Sequence, residues 1–309
     1  MNPRATLLAA ALAAACSSSQ PPPAAPPPPP PAAPVDAAVS MLSNDPDAAV
    51  AAADVAAPEA APLPPMAIVA GERREVPAPT PRVRIVAPAA NATVREDRVE
   101  VRLDVQHWRD VANASDMRHV HLVLDNNPYV RVDDPTRPVP LEHLSPGTHV
   151  LRAFPGWETH ETVKTAGAYA SVVFHVGAPS RDLNFNPRAP LLTYSRPKGR
   201  VEGAGADHIL LDFYLANVPG NQLGPRGYRV RPSIDGAAQA ELTAWAPYYI
   251  DHLPDGEHTI TLELLGPNGQ PAPGPFNRGE QRITVSRTPS APAAPANAPA
   301  AAPDPHAGH

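Results

Sequence analysis

The amino-acid sequence predicts an all-β protein with two β-sandwich domains in tandem, carried on a long Pro/Ala-rich stalk and followed by a similar tail. Three observations point there. Apolar residues alternate with period two through the middle of the chain, turn-forming residues punctuate those runs, and one motif recurs in both halves with its spacing intact. No sustained apolar face of helical period competes.

In chain order, the sequence opens with Met-Asn-Pro-Arg4, an apolar run from Ala5 to Ala15, and Cys16, its single cysteine. A positive start followed by so short a run is the anatomy of an export signal, because spanning a bilayer takes roughly 20 apolar residues. Residues 1–15 are expected to be a cleaved signal peptide. Ala13, Ala14 and Ala15 directly before the cysteine resemble the lipobox of bacterial lipoproteins. That resemblance implies cleavage before Cys16, acylation of its thiol, and attachment to a membrane through lipid. Ser17 implies sorting to the outer membrane in a host with two membranes, with the chain facing the periplasm or the exterior. No second cysteine exists for a disulfide, a thiolate metal site or a catalytic thiol.

Residues 16–82 are expected to form a disordered stalk. Pro and Ala dominate it, including the run Pro26 to Pro31, and it lacks the apolar clusters needed to bury a core. Polyproline II geometry, at about 3.1 Å per residue, holds the folded part of the chain out by on the order of 100 Å. Residues 288–309 read as a tail of the same kind.

The foldable sequence divides into a first sandwich over 83–177, a linker over 178–189 and a second sandwich over 190–287. Val99, Val101, Leu103 and Val105 alternate with Glu100, Arg102 and Asp104. Val120, Leu122 and Leu124 alternate with His119, His121 and Val123, and Ala170, Val172, Phe174 and Val176 with Tyr169, Ser171, Val173 and His175. Turn signals at Asn126-Asn127-Pro128, Asp133-Asp134-Pro135 and Ser145-Pro146-Gly147 separate such runs. The stretch His143 to Leu151 is echoed by His252 to Ile260, and Val120 to Asn126 by Val230 to Gly236. The echo implies two related modules, each of about 95–100 residues, the size of a seven-stranded sandwich.

Pro88 to Val94 at the head of the first module, and the Leu-x-x-Gly-x-His turn present in both, resemble bacterial immunoglobulin-like domains of extracytoplasmic proteins over residues 83–287. The resemblance implies an immunoglobulin-like sandwich and names no ligand.

A net charge of −6 and a pI near 6.0 give no footprint for nucleic acid or for polybasic docking on a membrane. There is no nucleophile elbow and no phosphate-binding glycine loop, so neither an enzyme nor a cofactor is expected. Histidine is the chemically interesting residue. His119 and His121, two apart on a strand, leave the same face about 6.5–7 Å apart, and His175 shares their outward parity on a strand of the same sheet. Three neutral imidazoles there suit Zn²⁺ or Cu²⁺. The competing reading is a solvated polar face, because the second module carries Arg229 and Arg231 at the matching positions.

His149 and His258 share parity with apolar residues, and are expected to cap the core edge and bond to turn backbone. His306 and His309 belong to the tail. Asp125, Asn126, Asn127, Asp133 and Asp134 read either as Ca²⁺ ligands or as ordinary turn chemistry. Glu158 and Glu161 lie beside Trp157 in a loop, but glycoside chemistry needs a cleft holding two carboxyls at fixed separation. Trp157 is the aromatic expected on the surface, for a sugar ring or a protein partner, whereas Trp245 and Tyr249 are expected in the core. The leading functional expectation is a non-enzymatic binding or structural module of the cell envelope, with an envelope protein or polysaccharide as partner. The alternative is a Zn²⁺- or Cu²⁺-binding lipoprotein, with a carbohydrate-active protein third.

Overall fold

A computed structural model describes residues 64–288, apart from 114, 181–182 and 220–221. The export signal, Cys16, the stalk up to residue 63, His306 and His309 lie outside the described residues. Everything described belongs to one compact unit, Ala60–His309, and contains no α-helix.

The first strand among the described residues is the short β1 (Ala67–Ala70), and the first sandwich follows it. One of its sheets has the order β2 (Arg82–Ala87), β4 (Val99–Gln106), β7 (Val139–Leu141). The other runs β3 (Ala92–Val94), β9 (Ala170–Val176), β8 (Gly147–Gly156), β5 (His119–Leu124), β6 (Val130–Val132). This is an immunoglobulin-like arrangement: all pairings are antiparallel except β3 with β9. Val101, Val120, Leu122, Leu151, Ala153 and Phe174 fill the space between the sheets. These are the inward positions of the period-two runs, and burying each large apolar side chain contributes about 1.5–3 kcal/mol.

The second sandwich repeats the plan. Its first sheet holds β10 (Leu191–Arg196), β12 (His208–Ala216) and β15 (Tyr248–Asp251); its second has the order β11 (Gly199–Glu202), β17 (Arg278–Ser286), β16 (Gly256–Leu265), β13 (Arg229–Ile234), β14 (Ala237–Ala238). Again one parallel pairing occurs, β11 with β17, at the place equivalent to β3 and β9. One strand is new relative to the first module. β1 adds antiparallel to β15, with Ile68 opposite Ile250, so the first sheet reads β1-β15-β12-β10. The stalk expected over 16–82 therefore does not run unbroken to the first sandwich: its residues 67–70 form an edge strand of the second.

The sandwiches are not separate beads. The outer face of the sheet containing β8 and β5 is covered by the second module, and Val123, Val150 and Phe154 join Leu211, Tyr214 and Trp245 in one apolar cluster. Phe154 stacks on Tyr214 at 4.8 Å between ring centroids. Arg152, fully buried, donates from Nη1 to Thr193 Oγ1 at 2.8 Å and lies over the Phe276 ring. A charge so placed is tolerable because Nη1 finds carbonyl and hydroxyl partners across the junction and Nη2 finds the Asp125 carbonyl in its own module, although Nε is left without one.

The repeated turn is built alike in both modules. Gly147 and Gly256 hold φ of 132° and 138°, a region that favours glycine. His149 contacts Asp125 Oδ2 through Nδ1 and the Ser145 carbonyl through Nε2, both at 2.8 Å. His258 does the same with Asp235 at 2.7 Å and Pro254 at 2.9 Å. The other carboxylate oxygen of each Asp accepts from the backbone N–H of Val150 or Thr259. The histidines thus bind turn backbone, as their parity suggested, and each aspartate closes the bracket.

Candidate metal centre

Strand alternation places His119 and His121 on the same side of β5, pointing away from the sandwich core. The sequence reading of that side as solvated is wrong: both residues are 0% exposed. The second sandwich covers this face. At the matching positions of the second module, Arg229 and Arg231 pair instead with Glu241 and Glu263.

The third imidazole comes from elsewhere. His175 lies opposite Thr148 on β8 and meets the Thr148 hydroxyl at 3.0 Å, whereas His119 lies opposite Gly156. Thr148 and Gly156 are eight residues apart on one strand, roughly 26 Å at about 3.3 Å per residue, so His175 cannot join His119 and His121. Its parity and sheet were right and its level along the strand was not. Instead His160, in the loop after β8, brings Nδ1 to 3.3 Å from His119 Nε2. His160 has φ of 69°, uncommon for a residue with a side chain. Trp157 N–H donates to the Glu161 carbonyl and His160 N–H to the Trp157 carbonyl, a tight turn that aims the ring inward.

His119 Nε2 and His121 Nε2 are 2.9 Å apart, and one ligand nitrogen from each of His119, His121 and His160 lies within 4.8 Å of the others. Bonds of about 2.0–2.1 Å at tetrahedral angles put ligand nitrogens about 3.3 Å apart, so a small adjustment accommodates Zn²⁺ or Cu²⁺. Among the described residues this is the one such group of three or more His, Cys, Asp or Glu side chains. Burial holds the imidazoles neutral, the state that ligates: it pushes His119 and His160 down to about 4 and His121 well below the ordinary histidine value.

The surroundings fix the rings. His119 Nδ1 donates to the Met117 carbonyl at 3.1 Å, which leaves the Nε2 lone pair facing the cluster. Tyr129 stacks on His121 at 3.8 Å and its hydroxyl reaches His160 Nδ1 at 3.3 Å. Gly156 lies beneath, where a Cβ would come within 2.4 Å of His121 Nε2. A cavity of about 170 Å³, lined by His160, Thr159, Arg196 and Pro197 among others, lies on the His160 side of the cluster.

The remaining candidates fare differently. Trp157, expected on the surface, is 9% exposed: it packs edge-on against Trp108 at 4.7 Å, and the Arg74 guanidinium covers its ring at 4.0 Å. Glu158 pairs with Arg74, and Glu161 accepts from the Tyr249 hydroxyl, so the two carboxyls are engaged separately. Asp133 is held by Arg131 and Asp134 by Thr136, which is turn chemistry. Trp245 is buried in the shared core.

No protein-family model matches the chain, and no curated protein matches it. Among solved structures it is similar to the fibronectin(III)-like modules of Clostridium thermocellum CbhA, with 12% identity and a TM-score of 0.25 over 66% of this chain and 95% of that one. It is similar also to the Bacteroides ovatus glucan-locus protein SGBP-B, solved with a mixed-linkage heptasaccharide (13% identity, TM-score 0.21, 66% of this chain, 47% of that one). A putative membrane-anchored protein from Corynebacterium diphtheriae gives 12% identity and a TM-score of 0.23, over 66% and 53%. The chain spans about half the length of the last two. The immunoglobulin-like assignment comes from the strand order itself.

Proposed function

We propose that this chain is a non-enzymatic, lipid-anchored protein of the cell envelope that binds one Zn²⁺ or Cu²⁺ ion between His119, His121 and His160. The observation that carries the proposal is the convergence of three neutral imidazoles, two of them fully buried, with one ligand nitrogen from each within 4.8 Å of the others. The sugar-platform reading loses its residue, because Trp157 is covered by Arg74. Attachment through Cys16 rests on the lipobox resemblance; no helix among the described residues is long and apolar enough to cross a membrane.

Thermal melts of the purified protein with and without Zn²⁺ or Cu²⁺ test the metal. An ion bound only by the native state raises stability by about 2.7 kcal/mol at a hundredfold excess over its Kd. His119→Ala and His160→Ala should remove the shift, and His175→Ala should keep it. No shift in the parent protein with either ion sinks the proposal. Cys16→Ser should release the protein from the membrane fraction; unchanged partitioning refutes the anchor.

A further inference from the structure

We propose that Ser195, a residue of the second sandwich, is a positioning residue for the metal: its hydroxyl turns round to let His121 change tautomer when the ion binds. The inference rests on the metal reading above and adds that the site is shared between the two modules.

Ser195 lies on β10, 2% exposed, and its Oγ sits 3.1 Å from His121 Nδ1. The register of β10 against β12 shifts between Tyr194 and Arg196, which makes Ser195 the bulged residue. A bulge re-aims a side chain out of the alternation of its strand. β2, the equivalent strand of the first module, has a shift at the matching place, between Ile85 and Ala87, and Val86 there is 59% exposed. The same device thus sends an apolar residue into solvent in one module and a hydroxyl onto an imidazole in the other.

A hydroxyl is the one group suited to both states of the site. His119 keeps its proton on Nδ1, because the Met117 carbonyl can only accept, so His119 Nε2 always carries a lone pair. Without metal, the 2.9 Å contact needs His121 to donate from Nε2, and His121 Nδ1 then accepts from Ser195 O–H. With metal, His121 Nε2 gives its lone pair to the ion, Nδ1 carries the proton, and Ser195 Oγ accepts. One proton leaves Nε2 and one is taken up at Nδ1, so the ring stays neutral throughout. Ser195 donates in the first state and accepts in the second.

The rest of the junction holds this arrangement. Thr162, two residues beyond His160, donates from its N–H to Asp212 Oδ2 at 2.7 Å and from its hydroxyl to the Phe213 carbonyl at 3.0 Å. Lys164 forms a buried ion pair with Asp212 on β12. The loop that presents His160 is therefore fastened to the same sheet that carries Ser195.

The test uses the whole chain and Zn²⁺ as probe, with competition titrations of the parent, Ser195→Ala and Ser195→Thr. Loss of an outer partner of a ligating histidine typically weakens binding about 10–100-fold. We expect that loss in Ser195→Ala and recovery in Ser195→Thr. Equal affinity of parent and Ser195→Ala overturns the role of Ser195 while leaving the metal site standing; no Zn²⁺ binding by the parent overturns both. Nitrogen-15 spectra of the parent give a readout that needs no variant. The His121 proton should be on Nε2 without Zn²⁺ and on Nδ1 with it, and a proton on Nδ1 in both states refutes the proposal.

Discussion

Ile68 lies directly across the ladder from Ile250, although one precedes the first sandwich and the other lies within the second. The first module is thereby inserted between two paired strands of the second. Gly71 continues the contact, its N–H donating to the Pro247 carbonyl at 2.8 Å, and a Cβ there would meet the Tyr249 ring at 2.6 Å. A chain beginning at residue 72 should be less stable than one beginning at residue 64, by about 1–3 kcal/mol from lost apolar burial and ladder bonds. Hydrogen exchange should locate the loss in β15. Equal denaturation midpoints and equal β15 protection would show that β1 contributes nothing.

Gly156 allows the histidine cluster to exist. Its Cα faces both imidazoles, and an added methyl would stand 2.4 Å from His121 Nε2 and 3.1 Å from His119 Nε2. Gly156→Ala is expected to displace the rings, cost about 1–3 kcal/mol as an overpacked core does, and lower metal affinity. Calorimetric titration with Zn²⁺ alongside denaturant melts measures both. A variant that binds as tightly as the parent would mean that the rings can move without consequence.

The two turn histidines should behave as equivalents. His149→Ala or His258→Ala strips an aspartate carboxylate and a turn carbonyl of their partner, for a cost of about 1–3 kcal/mol each. Neither change should alter metal binding, since both lie outside the cluster. Urea unfolding of the two variants checks the magnitude, and a silent His149→Ala would remove the structural role assigned to the turn.

Acid should destabilise the metal-free protein in a defined window. Burial lowers His119 and His160 to about 4 and holds His121 well below the ordinary histidine value, while the unfolded chain's histidines take up protons near pH 6.5. Between these values the unfolded state binds more protons, so stability is full above about pH 6.5 and declines as pH falls toward 4. Each proton contributes a slope of about 1.4 kcal/mol per pH unit at most, less for the partly exposed His160. Melts in chelator from pH 8 to 4.5 should show a plateau and then a fall that His121→Phe reduces. A flat profile across pH 6.5–4.5 would contradict burial of neutral imidazoles.

Local pattern determined much of this protein. Alternation in β4, β5 and β9 fixes which residues face the core, because a strand has a period of two wherever it sits. The repeated Gly-x-His turn encodes its own conformation, since φ near 135° and the histidine's backbone contact arise within a few residues. The same alternation put His119 and His121 side by side on one face. What lay on top of that face was decided by the tertiary structure alone. Docking of the second sandwich turned what would be a solvated strand surface into a buried face and brought Ser195 to His121 across 74 positions of sequence, while the segment before the first sandwich laid Arg74 over Trp157. His160 replaced His175 because sequence gives the side of a strand on which a residue lies, but the loop path and ladder register set its level along the strand. β1 escaped the sequence for a related reason: four residues at an edge bury too little to imprint a pattern, and the partner that makes them a strand arrives only once the whole chain has folded.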